Sequence, residues 1–266
     1  MNILQEIAGY TALRVEQNKR LHPLEELKER AEAMSADTGF PFEQALSGEG
    51  IHFICECKKA SPSKGLIAES FPYLEIAKAY EAAGASAISC LTEPKWFRGS
   101  DQYLQEIVDT VSIPVLRKDF TVDPYMIYEA KLLGASAVLL ICSLLDADTL
   151  AAYLELTYSL GLSALVEAHD EKEVRVALQA GAGIIGVNNR NLKTFEVNIE
   201  NAVRLRQMVP QEVLFVAESG IRTAEDVAVL YQNGTNAVLI GETLMRSADK
   251  GAMIAQLQSK CFPESS

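Results

Sequence analysis

EAAGASAISCL (Glu81–Leu91), AKLLGASAVLLI (Ala130–Ile141), LQAGAGIIGVN (Leu178–Asn188) and YQNGTNAVLIG (Tyr231–Gly241) are four versions of one phrase. Each runs from the end of an amphipathic helix through a glycine into a short apolar run. Gly84, Gly134, Gly181 and Gly234 suit the position just past a helix end, where a left-handed conformation costs glycine little. The apolar runs behind them suit strands buried on both faces. Four further runs, Ile51–Cys57, Ile113–Leu116, Leu162–Val166 and Val213–Ala217, fall between the phrases and bring the expected strands to eight. Helix-period segments separate them, among them Tyr73–Ala83, Pro124–Leu133, Asp146–Leu160 and Glu171–Ala180. Strict alternation implies right-handed crossovers and a parallel sheet. Eight such units in roughly 210 residues predict an α/β fold of the (βα)8 TIM-barrel type. A doubly wound open sheet would carry G-x-G-x-x-G after its first strand, and that fingerprint is absent.

The first fifty residues stand outside the alternation. Asn2–Lys19 and Pro23–Met34 read as helices, with Pro23 suited to a first turn, and Gly39–Phe42 and Gly48–Gly50 read as connectors. Residues 1–266 are therefore expected to form one barrel domain, with 1–48 as a helical extension packed on it. The extension either caps the barrel or also walls its pocket.

Composition narrows the partners. The chain has 266 residues, is 48 % apolar and carries a formal charge of −12, which suits a packed core and opposes contact with nucleic acid or anionic membrane. The expected partner is a small phosphorylated molecule, held against the overall field by a few placed cations and backbone N–H groups. Met1–Glu6 lacks the basic and apolar regions of a signal peptide, and no stretch is long enough to span a bilayer. Cys55, Cys57, Cys90, Cys142 and Cys261 are an odd, dispersed set, which suits reduced thiols in the cytoplasm. C-x-C at Cys55–Cys57 has no histidine at metal-ligand spacing, so no metal site is expected. A monomer or weak homodimer fits the acidic charge.

In such a barrel the chemistry belongs at the C-terminal ends of the strands. Those ends read Glu56-Cys57-Lys58, Thr92-Glu93, Lys118-Asp119, Glu167, Asn188-Asn189-Arg190, Glu218-Ser219-Gly220 and Gly241-Glu242. Glu56 and Lys58 are two apart, so they share one side of a strand while Cys55 and Cys57 share the other. Glu56–Lys58 or Lys118–Glu167, taken singly, reads equally well as a structural ion pair. Acids and bases converging from three strands favour catalysis. Ser219-Gly220-Ile221 and Gly241-Glu242-Thr243 sit where barrels of this kind hold phosphate. The loop Lys59–Gly65 is either an exposed connection or a mobile lid that carries Ser61 to the phosphate. His22 and His52 lie away from the mouth, and His169, two residues past Glu167, reads as a rim residue. Acid–base work thus falls to Lys and Glu.

These segments resemble a known family. Glu56–Gly65 (ECKKASPSKG), Leu91-Thr92-Glu93, Arg117–Phe120 (RKDF), Leu165–Glu167, Val187–Arg190 (VNNR) and Ala217–Ile221 (AESGI) are similar to indole-3-glycerol-phosphate synthases of tryptophan biosynthesis, and the likeness covers the extension too. The resemblance implies that 1-(2-carboxyphenylamino)-1-deoxyribulose 5-phosphate closes to an indole with loss of carbon dioxide and water, without metal or organic cofactor. It implies Lys118 as the acid at the substrate carbonyl, Lys58 at the anthranilate carboxylate, and Glu167 as base or stabiliser of a cationic intermediate. Glu56 and Asn188 would orient hydroxyls and lysines, with Glu56 a candidate for the dehydration. Ser61, Ser219, Gly220, Gly241 and the backbone of Glu242 would hold the phosphate, while Arg190 and Glu218 complete the polar network. Trp96, Phe97 and Phe120 are expected to wall the anthranilate ring. Glu242 departs from the serine of many members; a carboxylate would repel phosphate, so only its N–H is expected to face the ligand.

Three other readings have distinguishable signatures. Phosphoribosylanthranilate isomerases share a similar barrel and phosphate site but use a cysteine at the end of strand one, where this chain offers Glu56 and Lys58. A Schiff-base aldolase would use Lys118 as nucleophile. A non-catalytic ligand-binding barrel would let these acids and bases drift.

Overall fold

A computed structural model describes residues 3–191 and 195–261. The eight expected strands are present: β1 (His52–Cys57), β2 (Ala87–Leu91), β3 (Val115–Lys118), β4 (Ala137–Ile141), β5 (Ser163–Ala168), β6 (Ile184–Asn188), β7 (Leu214–Glu218) and β8 (Ala237–Ile240). Each pairs in parallel with its neighbours in chain order, and β8 pairs with β1 in the register His52↔Ala237 to Cys55↔Ile240, which closes the barrel. β3 begins two residues later than its apolar run suggests and ends at Lys118. The cause is Pro114, which has no N–H for the ladder, although its carbonyl still accepts from Ile88 N at 3.0 Å.

The helices between strands start where short polar side chains satisfy free N–H groups. Ser100, Asp146, Asp170 and Asp249 each cap a helix, and Thr223 with Asp226 forms a reciprocal capping box. They end as the repeated phrase requires: Gly84, Gly134, Gly181 and Gly234 all adopt φ between 79° and 87°.

Strand alternation separates two apolar clusters. One fills the layer between strands and helices and includes Cys55, Cys57, Ile88, Val138, Val166 and Ile185. The other fills the barrel itself with Ile54, Leu116, Leu139, Leu165, Val216 and Leu239. All five cysteines are free and buried.

The extension forms α1 (Ile3–Leu21), α2 (Leu24–Glu32) and a one-turn α3 (Pro41–Gln44), the last within a segment expected to be a plain connector. Asn2, the expected start of the first helix, lies outside the described residues. The extension works at both ends of the barrel. Phe42 and Leu46 are fully buried in the barrel cluster, with Glu43 beside Gly183 at the start of β6. Leu4 and Ile7 join the same cluster through the other mouth. Arg14 bonds Asp119 at 2.7 Å, Lys19 bonds Asp123 at 2.7 Å, and Thr38 Oγ1 donates to the Gly161 carbonyl at 2.7 Å. No helix among the described residues is long and apolar enough to cross a membrane.

Candidate active site

The C-terminal mouth opens into a cavity of about 440 Å³. Its lining contains Glu56, Lys58, Ser61, Phe97, Lys118, Phe120, Glu167, Asn188, Arg190, Glu218, Ser219, Gly220, Gly241 and Glu242. They come from seven of the eight strands and the loops after them, so closure of the barrel is what brings them together.

Lys118 is at the centre. Its Nζ donates to Glu167 Oε2 at 3.2 Å and lies 3.2 Å from Glu218 Oε2. Glu56, Glu167 and Glu218 are 4 %, 3 % and 2 % exposed, so these charges interact with little screening by water. Burial opposes the charge on Lys118, but the carboxylates of Glu218, Glu167 and Glu56 outweigh it and hold the ammonium protonated far above the ordinary lysine range. Glu167 is lowered, because Lys118 and His169 outweigh its burial. Glu218 goes the other way: burial and the neighbouring Glu167 push it up to about 7, against the pull of Lys118. Its Oε1 is buried without a hydrogen-bond partner among the described residues. Two carboxylates on one lysine thus diverge, as a buried cluster of like charges must.

The second pair stands on β1. Lys58 Nζ donates to Glu56 Oε1. The space for that pair comes from Gly241, whose backbone is ordinary (φ −115°) but whose Cβ would sit 2.3 Å from Glu56 Oε1 and 2.9 Å from Lys58 Nζ. Gly186 does the same for Glu218, since a Cβ there would meet Oε1 at 2.2 Å.

The turn after β7 is held in a backbone that few residues adopt. Ser219 and Gly220 have φ of 67° and 81°, and a Cβ at Gly220 would strike Val197 Cγ1 at 2.0 Å. Asn189 braces this turn: its Nδ2 donates to the Ser219 carbonyl at 3.2 Å and its Oδ1 accepts from Ala202 N at 3.0 Å. Across the cavity, Glu242 turns its carboxylate to Lys64 at 3.4 Å and Arg246 at 3.2 Å, and these cations outweigh partial burial and lower it. The loop after β1 is more than an open connection, because Ala60–Ser61 pairs with Gly65–Leu66 as a small antiparallel hairpin.

Several expectations are corrected. Trp96 does not line the cavity; it packs edge-on against Tyr10 of α1 at 5.5 Å, with Lys95 over both rings. Phe97 and Phe120 remain as the aromatic wall, 6.0 Å apart. Glu93 is consumed in structure, accepting from the backbone N–H groups of Lys95, Trp96 and Phe97. Asp119 is likewise held by Arg14 and Thr92. His169 is held by two acids: its ring lies between Glu167 and Glu173. Ile3, Leu4 and Ile7 line the cavity from the extension, with Leu139 and Ile141 from β4. The i, i+4 pair Ile3 and Ile7 carried that signal in the sequence, but not the face it would meet. Among the described residues no group of three or more His, Cys, Asp or Glu is placed to hold a metal ion.

Fold and site together define a barrel enzyme whose mouth pairs half-buried lysines with buried glutamates. Two solved structures share the fold: thiamine phosphate pyrophosphorylase from Pyrococcus furiosus (TM-score 0.61, 14 % identity, covering 82 % of this chain and 96 % of that one) and 3-hexulose-6-phosphate synthase from Salmonella typhimurium (TM-score 0.65, 14 % identity, 79 % and 98 %). The model of the indole-3-glycerol phosphate synthase family matches residues 4–257. Indole-3-glycerol phosphate synthases from Ruminiclostridium cellulolyticum and Lachnoclostridium phytofermentans are 60 % and 52 % identical, over 96 % and 97 % of this chain and 98 % and 99 % of theirs. The chain belongs to the indole-3-glycerol phosphate synthase family.

Proposed function

We propose that this chain converts 1-(2-carboxyphenylamino)-1-deoxyribulose 5-phosphate to indole-3-glycerol phosphate, releasing carbon dioxide and water. The observation that carries the reading is Lys118 held between Glu167 and Glu218 in the cavity that also holds the Glu56–Lys58 pair. Ring closure needs an acid at the ketone oxygen, and Lys118 is a cation fixed by flanking carboxylates. As the aryl carbon attacks the ketone carbon, Lys118 protonates the developing alkoxide. Lys58 meets the anthranilate carboxylate until it leaves as carbon dioxide. Glu167, kept ionised, stabilises the cationic ring before decarboxylation. Dehydration then needs a proton on the departing hydroxyl and one removed from the ring nitrogen, for which Glu56 and Lys58 are placed. Asn188, whose Nδ2 donates to Glu167 Oε1 at 3.3 Å, orients that carboxylate, and Arg190 completes the polar rim.

The phosphate is assigned to Ser61, Ser219, Gly220, Gly241 and the backbone of Glu242. The pairing of the Glu242 carboxylate with Lys64 and Arg246 supports this, since it sets cations beside the cradle and ties up that carboxylate. Phe97 and Phe120 together form the aromatic wall for the anthranilate ring. Residues 1–48 and the barrel act as one unit, because α1 supplies a wall of the pocket and is bolted to the residue after Lys118. A monomer acting in the cytoplasm fits the charge of −12 and the free thiols.

Two other readings lose ground. A cysteine-dependent isomerase needs a reactive thiol at the end of β1, yet Cys55 and Cys57 are buried behind the strand, where burial pushes both thiols well up. A Schiff-base aldolase needs a lysine with lowered affinity for its proton, the reverse of Lys118. The test is fluorescence detection of the indole product from the carboxyphenylamino substrate, with Lys118→Ala as control. Product from the native chain and a collapse in the variant are expected; no product, or equal product, overturns the assignment.

A further inference from the structure

Beside the reaction cavity lies a second cavity of about 510 Å³, which shares Leu4, Asn188 and Arg190 with it. His169, Asp170, Glu173 and Asn201 are among its lining residues. The imidazole of His169 lines this space and lies between Glu167 and Glu173. Its backbone is fixed from both ends, since its N–H donates to Glu173 Oε2 at 2.8 Å and its carbonyl accepts from Asn201 Nδ2 at 3.1 Å. The ring is fixed as well: Nδ1 lies 3.1 Å from Glu173 Oε2. That leaves Nε2 buried, without a hydrogen bond among the described residues, and 3.4 Å from Glu167 Oε1.

We propose that His169 is a positioning residue for Glu167: anchored by Glu173, it presents Nε2 to Oε1 so that Oε2 stays on Lys118. This rests on the role given to Glu167 above. The carboxylate then has a separate partner for each oxygen, Lys118 on Oε2, and Asn188 with His169 on Oε1. Its rotation is removed in the direction that would break the contact with the acid. A gap of 3.4 Å is slightly long for a hydrogen bond. A shift of Glu167 by a few tenths of an ångström closes it, which is the adjustment expected when a cation forms in the cavity. The groups facing the ring are Glu167 and Glu173, with Glu218 farther off and Asp170 adjacent in the chain; burial opposes the imidazolium, but these carboxylates outweigh it. His169 therefore holds a proton more readily than a free imidazole, beside the Glu167 oxygen that Lys118 does not touch.

Two measurements test the assignment. In steady-state kinetics with the carboxyphenylamino substrate, His169→Ala is expected to lower kcat roughly ten- to hundredfold with little change in KM, because a misaligned group costs the transition state rather than binding. The acid limb of the kcat profile should move to higher pH, since Glu167 loses a cation that keeps it ionised. His169→Gln, which keeps an amide donor near Nε2, should restore most of kcat. An unchanged acid limb and unchanged kcat in His169→Ala would overturn the proposal. A fall in kcat without a moved limb and without rescue by glutamine would reduce the residue to packing, and overturn it too. The second measurement needs no turnover, so it separates this proposal from the assigned reaction. The 15N-detected titration of His169 should fall to lower pH in Glu167→Gln than in the parent chain, because a neighbouring carboxylate has been removed. An unmoved titration means that the two side chains are not coupled.

Discussion

Arg117 and Lys118 are adjacent cations on one strand, and they do opposite things. Alternation along β3 sends the guanidinium outward between strand and helices and the ammonium inward to the mouth. Arg117 is saturated: it reaches Asp101 at 2.7 Å, Glu129 at 2.6 Å, the Met126 carbonyl at 2.9 Å and Thr92 Oγ1 at 3.3 Å. Lys118 meets two carboxylates at 3.2 Å each, one of which keeps an unpaired buried oxygen. Arg117 is buried and Lys118 half-buried, and both face acids, so an ion pair alone does not distinguish scaffold from chemistry. Saturation does. The network in which every guanidinium nitrogen is answered holds the strand to its helices, and the one left short of partners faces a cavity that a substrate can complete.

The comparison breaks most clearly by deleting one cation at a time. Lys118→Ala should lower kcat roughly 10²–10⁴-fold, the contribution of a positioned acid, as read from indole product formation. Its loss of stability should be smaller than that of Arg117→Met, because Glu218 can take up a proton when its partner goes. Arg117→Met leaves Glu129 and the half-exposed Asp101 without their shared cation, and should cost about 2 kcal/mol in urea unfolding, the scale of a lost hydrogen bond to a charged group. If both variants lose stability equally, saturation is not what separates the two sites.

A finer break moves a carboxylate without removing any charge. Gly186→Ala puts a methyl group 2.2 Å from the present position of Glu218 Oε1. The carboxylate must move, and kcat is expected to fall about tenfold to hundredfold, as small misplacements cost in organised sites. The Lys118 network should feel this while unfolding of the Arg117 network does not. A crystal structure of Gly186→Ala with Glu218 unmoved and kcat intact would contradict it.

The smallest effect is a dependence on pH. Glu218 binds its proton more tightly in the folded protein, up to about 7, than in the unfolded chain. Its contribution to stability is therefore fully present below the unfolded carboxyl value and is lost as pH rises through about 7. Glu218→Gln removes that dependence. Urea unfolding at about pH 5 and about pH 8 should find the variant gaining on the parent at the higher pH; a gain at the lower pH instead would reverse the sign.

Much of the barrel was legible because its signals are local. A glycine after each helix and an apolar run after each glycine need no knowledge of distant residues. The mouth was legible for a related reason: strand ends are positions in the chain, so Lys118, Glu167 and Glu218 could be placed together once the fold was read. What escaped depends on contacts across the chain. Trp96 and Phe97 are neighbours of like character, and only the arrival of Tyr10 from α1 decides which of them meets the cavity. Thr92, Glu93 and Asp119 stand at strand ends like the site residues, but Arg14 and backbone N–H groups claim the acids first. His169 read as peripheral because nothing local shows that Glu173, one helical turn later, folds back onto the same ring.

Gly186 and Gly241 have a consequence for anyone transplanting this chemistry. Neither has an unusual backbone, and neither contributes an atom to the reaction, yet each is shaped as the vacancy into which another residue's charge fits. A graft onto a different eight-stranded scaffold that copied only the lysines and glutamates would find those seats already taken by ordinary side chains. The minimal recipe for the site contains two instructions to leave something out.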